Sequence, residues 1–314
     1  MRWVVKLLAL VGVVIIVSIL TFLMTDFLPG DPAEVIAGSQ ASDKEFVQNI
    51  REELNLDDPL PQRYLTWAGN AVQGDFGRSL EENDEPIADK LRRTIPNTVQ
   101  LLLLAEIFSI LIAVPIGVYS GYRANGKFDK FATGMAFFLL AIPSFVMGVV
   151  LIAIFAVSTN LLKIQFDPIS EVGLAASLKT SIMPVICISV GIIAVYVRLL
   201  RTDMIATLQE DFILNARAKG LKSSYILFRH ALRPSSFSLL TVAGINLGTL
   251  IGGSVIVEQL FSINGVGNLL VQSISSRDIA TVQVIVLIIS ITYVAVNFLV
   301  DLVYSSLDPR IRRG

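Results

Sequence analysis

A few residues in this sequence have the types and spacing that chemistry needs. Gly121-Tyr122-Arg123-Ala124-Asn125-Gly126-Lys127 has the G-x4-G-K spacing of a phosphate-cradling loop, but Phe128 follows where a Ser or Thr would have to ligate magnesium. An apolar run precedes it in place of a strand, so the segment reads as a short turn bearing cations. His230 is the only histidine, and there is no H-E-x-x-H, no cysteine pair and no nucleophile beside a plausible base. A hydrolase or metalloenzyme needs such a cluster, so no catalytic residue and no metal site is expected. Cys187 is the single cysteine; it sits in an apolar run, cannot form an intrachain disulfide, and reads as a small buried hydrophobe. Glu106 also lies in an apolar run. An ionised carboxylate there costs a few kcal/mol, so it must face other helices or a wet cavity. Two roles fit it equally: a residue on a solute pathway, or a carboxyl hydrogen-bonded inside a helix bundle. Glu258 and Asp301 lie near the ends of apolar runs, where snorkelling to water is available.

The elements that must position these residues are membrane helices. Of the 314 residues, 54% are hydrophobic and 16% charged, which is too apolar for an ordinary soluble domain. Arg2 and Lys6 precede an uncharged run from Leu7 to Thr25, long enough to cross a hydrocarbon core. No small-x-small cleavage site follows, so residues 1–27 read as an uncleaved first span. Further crossings are expected at Thr98–Gly121, Phe131–Val157, Ser181–Leu200, Phe237–Val257 and Val282–Val303, six in all. Pro115, Pro143 and Pro184 should kink and interrupt their spans, while Gly244, Gly248, Gly252 and Gly253 permit close helix packing in the fifth.

Residues 28–95 are polar and too long for a hairpin between spans. Ser42-Asp43-Lys44-Glu45 reads as a capping box, after which Phe46, Ile50 and Leu54 fall on one helical face. Acidic residues recur there, among them Glu52, Glu53, Asp57, Asp58, Glu81, Glu82, Asp84 and Glu85. Six crossings put both termini on one side. The segments sharing that side carry Arg2, Lys6, Arg123, Lys127, Lys130, Arg198 through Arg233, and Arg310, Arg312 and Arg313. The short opposite loops carry Lys163, Lys179 and Arg277 with Asp167, Glu171 and Asp278. Lys and Arg are retained in the cytoplasm, so the termini face inward and the 28–95 insertion outward. The fold class expected is an all-α membrane protein, with an outer helical insertion between spans one and two and a core of residues 96–314.

Between spans four and five lies a polar loop, 201–234, whose part Asp211–Pro234 reads DFILNARAKGLKSSYILFRHALRP. Ala216, Ala218 and Gly220 would let another protein approach the backbone, and Arg217, Lys219, Lys222, Arg229 and Arg233 could pair with its acids. The run Ala216-Arg217-Ala218-Lys219-Gly220-Leu221, with Arg229-His230-Ala231-Leu232-Arg233 following, resembles the ATPase-coupling loop of bacterial ABC-importer permeases, in particular the dipeptide, oligopeptide and nickel branch. Against the general pattern E-A-A-x3-G-x9-I-x-L-P the chain keeps Ala216, Gly220 and Leu232. It carries Leu214, Asn215, His230 and Arg233 where the pattern has Glu, Ala, Ile and Pro. Further strings in order are similar to the same branch: Leu28-Pro29-Gly30-Asp31-Pro32, Leu56-Asp57-Asp58-Pro59-Leu60, Gly74-Asp75-Phe76-Gly77, Val257-Glu258-Gln259-Leu260-Phe261, Gly265-Val266-Gly267, Arg277-Asp278 and Leu307-Asp308-Pro309-Arg310-Ile311-Arg312.

The resemblance implies a type I importer-like fold in the bacterial inner membrane, as a B-type peptide permease subunit forming half a translocation path. Its partners would be a second similar permease, two ATP-binding subunits that hold ATP and magnesium, an extracytoplasmic solute-binding protein, and membrane lipid, but no nucleic acid. This chain would hold no cofactor. Ala216, Arg217, Ala218, Lys219, Gly220 and Leu221 would make the coupling contact, with Glu106 a candidate pathway residue. Peptides are the first substrate class and nickel or a metal chelate the second. A stand-alone secondary transporter or channel is the competing reading; it needs polar groups at mid-membrane, for which Glu106 is almost the only charged candidate.

Overall fold

The computed structural model describes residues 2–23, 31–53, 55–79 and 85–307, and everything it describes is helix, turn or loop apart from one isolated β-bridge between Arg78 and Pro86. The helices are α1 (Arg2–Leu23), α2 (Pro32–Ala37), α3 (Lys44–Glu53), α4 (Leu60–Val72), α5 (Ile87–Tyr122), α6 (Lys127–Ala141), α7 (Ser144–Leu151), α8 (Ile169–Val172), α9 (Leu174–Leu208), α10 (Asp211–Ala218), α11 (Ser223–Tyr225), α12 (Leu232–Gly253), α13 (Val255–Leu260), α14 (Val266–Ser275) and α15 (Ile279–Leu307). Among the described residues, α5, α9 and α15 are long and apolar enough to cross a membrane, and α6 with the segment Ser144–Ser158 makes a fourth if that bent pair is one span. The apolar stretch Leu10–Leu23 of α1 is shorter.

The third run is a correction. Its two halves meet at 95° because Ile142 is extended (φ −90°, ψ 117°), as the residue before a proline prefers, so Pro143 breaks the helix instead of kinking it. Pro115 and Pro184, by contrast, lie inside continuous helices. A proline leaves one carbonyl without its helical donor, which a bundle tolerates where neighbouring helices and side chains compensate. The fifth run stops at Gly253, turns at Ser254, and places Val257 in the separate helix α13.

The chain forms two compact units. The first comprises residues 1–98 and 264–298. Here Asp43, not Ser42, caps α3: its Oδ1 accepts from the N–H groups of Glu45 (3.0 Å) and Phe46 (3.2 Å). An ionised carboxylate is the stronger acceptor at a helix N-terminus, which favours Asp43 over its neighbour. Phe46 and Ile50 then pack with Ala33, Ala37 and Leu56 as their spacing requires. Leu54, like Leu28-Pro29-Gly30, Glu81, Glu82, Asp84 and the tail from Asp308, lies outside the described residues. Ser18 and Tyr64 share a hydrogen bond of 2.8 Å that ties α1 to α4, and Phe22 stacks with Tyr64 and Trp67.

A buried polar knot closes this unit. Asp278 is fully buried before α15, where its Oδ1 accepts from the Thr281 N–H (3.1 Å) and its Oδ2 accepts from Ser79 (2.6 Å) and Thr281 (2.5 Å) hydroxyls. The Lys90 ammonium lies 3.7 Å from the same oxygen and donates to Ser79 Oγ at 2.7 Å. Removing one partner of such a pair leaves a buried charge alone. Asp278→Ala is therefore expected to cost about 3–5 kcal/mol, with Asp278→Asn costing less, measured as loss of thermal stability and faster proteolysis around Ser79.

The second unit comprises residues 99–263 and 299–314, built around α9. Against α9 pack α6, α7, α8 and α12, so it buries residues on most of its circumference, from Ser177 to Met204. Cys187 is 1% exposed and donates to the Ser144 carbonyl at 2.9 Å, the buried hydrophobe its surroundings imply. Outward on α5, Val99, Leu103, Ile107 and Leu111 recur every four residues as an exposed apolar stripe, which a membrane helix can present to lipid.

Candidate functional site

The loop between α9 and α12 folds as a short helix followed by a sharp reversal. Asp211 in the first turn of α10 and Arg217 in its last turn both complement the helix dipole. Ile213 and Ala216, three apart and hence on one face, are buried in a cluster with Val118 of α5, Leu200 and Met204 of α9, and Ile226, Leu227 and Ala231. Ala216 thus serves this chain's own packing: its small side chain lets α10 lie close on the bundle. Arg217, Ala218, Lys219, Gly220 and Leu221 are exposed.

Gly220 has φ +74° and open space where a Cβ would be. Its N–H donates to Arg217 O (2.9 Å) while the Leu221 N–H donates to Ala216 O (3.3 Å), the paired bonds of a Schellman C-cap. Gly220 is there for its backbone conformation, which the view of it as a docking gap did not anticipate. Sequence reasoning also passed over the apolar residues around it. Phe212 (45% exposed), Leu214 (53%), Tyr225 (51%) and Phe228 (62%) project from a segment otherwise rich in cations. Large apolar groups recurring in a basic loop were the signal. His230 sits edge-on to Tyr225, ring centroids 5.4 Å apart, and among the described residues no three His, Cys, Asp or Glu side chains are grouped to hold a metal ion.

Beneath α10 the C-terminal ends of α5 and α9 and the start of α6 are locked together. Added Cβ atoms on Gly117 and Gly121 would meet Leu200 and Met204, so the glycines let α5 and α9 touch almost backbone to backbone. Gly121 of the G-x4-G-K spacing is thus a packing residue, and Gly126 forms the turn before α6. Asp129, 2% exposed, accepts from Arg201 Nε and from its Nη2 (2.7 Å), from Ser120 Oγ (2.8 Å) and from the Asn125 N–H (2.7 Å). One carboxylate therefore joins α5, the turn, α6 and α9.

Deeper in the same unit, Glu106 is 5% exposed and accepts from the Tyr196 hydroxyl (2.7 Å), which in turn accepts from Asn246 Nδ2 (3.1 Å). Its Oε2 has no hydrogen-bond partner among the described residues. In this structure it is a carboxyl held inside the bundle, bridging α5, α9 and α12. Glu258 does not snorkel: it is fully buried, and Ser254 Oγ lies 3.1 Å from its Oε1 at the break between α12 and α13. The break supplies the polar surroundings that a continuous span would lack. The Asp301 side chain lies outside those described. Of the span-five glycines, Gly244 abuts Val300, whereas Gly252 and Gly253 face open space.

A family described as the inner membrane component of binding-protein-dependent transport systems matches residues 113–313, and its N-terminal counterpart matches residues 1–102. The chain belongs to this family. It is a multi-pass inner-membrane permease subunit of an ABC importer. The permease is 37% identical over 307 residues to a probable peptide ABC transporter permease protein of Sinorhizobium fredii, covering 98% of this chain and 97% of that one. It is 33% identical, with the same coverage, to the glutathione transport system permease proteins of Escherichia coli and Shigella dysenteriae.

Two outcomes are expected of the permease's geometry. Gly220→Ala should destabilise the C-cap by about 1 kcal/mol, read as faster hydrogen exchange at the Leu221 N–H, with Gly220→Asn milder. Gly121→Val drives a side chain into Met204 and the Arg201 carbonyl and should cost roughly 1–3 kcal/mol, seen as a lowered melting temperature in detergent.

Proposed function

We propose that this permease forms half of a path for short peptides and is driven through α10 by a separate ATPase. The relatives support the cargo: one is named for peptide and others for glutathione, itself a tripeptide, so peptide chemistry is what they share. Nickel or a metal chelate has no comparable support.

In this reading the chain crosses the membrane six times, through α1, α5, α6 with α7, α9, α12 and α15. The charge bias supports both termini and α10 facing the cytoplasm and residues 28–95 facing out. Two partner subunits bind ATP and magnesium, a second similar permease completes the path, and an outer solute-binding protein delivers the cargo. This chain itself turns over no nucleotide.

The observation that carries the coupling role is the two-sidedness of α10. Ile213 and Ala216 are seated in the cluster with Val118, Leu200 and Met204, while Phe212 and Leu214 stay exposed beside Arg217 and Lys219. A partner gripping the outer side pulls on the bundle through the inner one. ATP-driven closure of the ATPases moves α10, and the inner ends of α5 and α9 follow, with α6 carried by Asp129. Breaks at Pro143 and Ser254 are where the strain is taken up. Only tighter binding of one state than the other can drive the change. Glu106, enclosed here, becomes a pathway residue when the bundle parts.

Leu214→Asp puts a charge into the gripped surface without touching the buried face. In the reconstituted complex it should leave assembly of the membrane domain intact and lower ATP-dependent peptide uptake at least tenfold, and Ala218→Cys should crosslink to an ATPase subunit. Normal uptake by Leu214→Asp, or no crosslink from position 218, refutes the reading.

A further inference from the structure

In the first unit, α4 turns its surface to three different surroundings. Tyr64 and Trp67 face the end of α1, where Tyr64 shares its hydrogen bond with Ser18 and the Phe22 ring meets both aromatic rings at 5.6 Å between centroids. The one charge of α4, Arg63, is buried on the same side, with its guanidinium 5.6 Å from the centroid of Phe22. Gln62, Thr66 and Asn70 recur every four residues as an exposed polar strip. Pro61, Leu65, Ala68 and Val72 recur at helical spacing as another strip, this one apolar, on which Leu65 is 69% and Val72 88% exposed. A helix in open water gains nothing from such a strip, and no charge on it would resist an apolar cover.

The contacts with α1 fix the depth at which the strip lies. Ser18 is five residues, about 7.5 Å, before Leu23 at the end of α1, and Phe22 is in the last turn, so α4 runs level with the last two turns of that helix. At the same level α1 presents Ile16, Ile19 and Leu20, all exposed. With α1 as the first span, the reading on which this inference rests, those residues meet acyl chains near the outer face of the bilayer, and α4 reaches the same layer. Tyrosine and tryptophan, apolar in body and polar at one tip, collect at that depth. We infer that α4 is a membrane-interface helix, lying along the outer leaflet with Pro61, Leu65, Ala68 and Val72 against lipid and Gln62, Thr66 and Asn70 in water. Lipid is favoured over a protein partner because the strip continues the apolar surface of α1 at one depth. The outer insertion is thereby held to the bilayer directly at α4 as well as through its attachment to α1.

Nitroxide labels measure the depth. With Cys187→Ala removing the single native thiol, labels are placed one at a time through Leu65→Cys, Val72→Cys, Thr66→Cys and Ile16→Cys, before the chain is assembled with its partner subunits in vesicles of phosphatidylethanolamine and phosphatidylglycerol. Collisions with oxygen, which concentrates in hydrocarbon, should exceed those with a water-soluble nickel chelate at least threefold at positions 65 and 72, and the ratio should reverse at position 66. Ile16 reports on α1 alone and should favour oxygen. Dominance of the chelate at 65 and 72, or exclusion of both reagents there as under a covering protein, overturns the inference. If Ile16 still favours oxygen, those results leave α1 as a span; if the chelate reaches Ile16, the span and the interface helix fall together.

Discussion

Everything around α10 in this permease depends on how near α5 can come to α9. Gly117 and Gly121 remove the side chains that would hold the two helices apart, and Asp129 then finds Arg201, Ser120 and the Asn125 N–H within hydrogen-bond reach. Neither feature suffices alone. Close packing without the carboxylate would leave the guanidinium of Arg201 without its partner, and the carboxylate without close packing would be a buried charge. Together they make a stiff platform, and α10 sits on it through Ile213 and Ala216.

The residues of α10 divide between a buried face and an exposed one. Its buried residues obey the rules of a core, small or branched and in contact with several helices. Its exposed ones mix Phe212 and Leu214 with Asp211, Asn215, Arg217 and Ala218.

Much of this was legible in the sequence, because membrane helices announce themselves by unbroken apolar runs. The runs ending at Gly121 and Leu200 correspond to α5 and α9, and the family motifs led to the right permease branch. Less legible was where helices stop. Pro115, Pro143 and Pro184 look alike in a string of letters, yet only Pro143 ends a helix. Whether a proline breaks its helix depends on whether neighbours compensate the freed carbonyl, which is tertiary information. Glu258 was misjudged for the same reason: the break at Ser254 that houses it is invisible in the hydropathy. Asp129 and Arg201, 72 residues apart in the chain, offered no local signal of their pairing.

The elbow between α6 and α7 has a bearing on the surrounding lipid. Fifteen residues of α6 reach about 22 Å at 1.5 Å each, short of a hydrocarbon layer of about 30 Å, before the chain veers by 95°. A straight rod dictates one bilayer thickness and can adapt only by tilting. A jointed one fits its two arms to the layer separately, and beyond the joint Phe145, Val146, Val149 and Val150 form an exposed apolar face that lipid can cover.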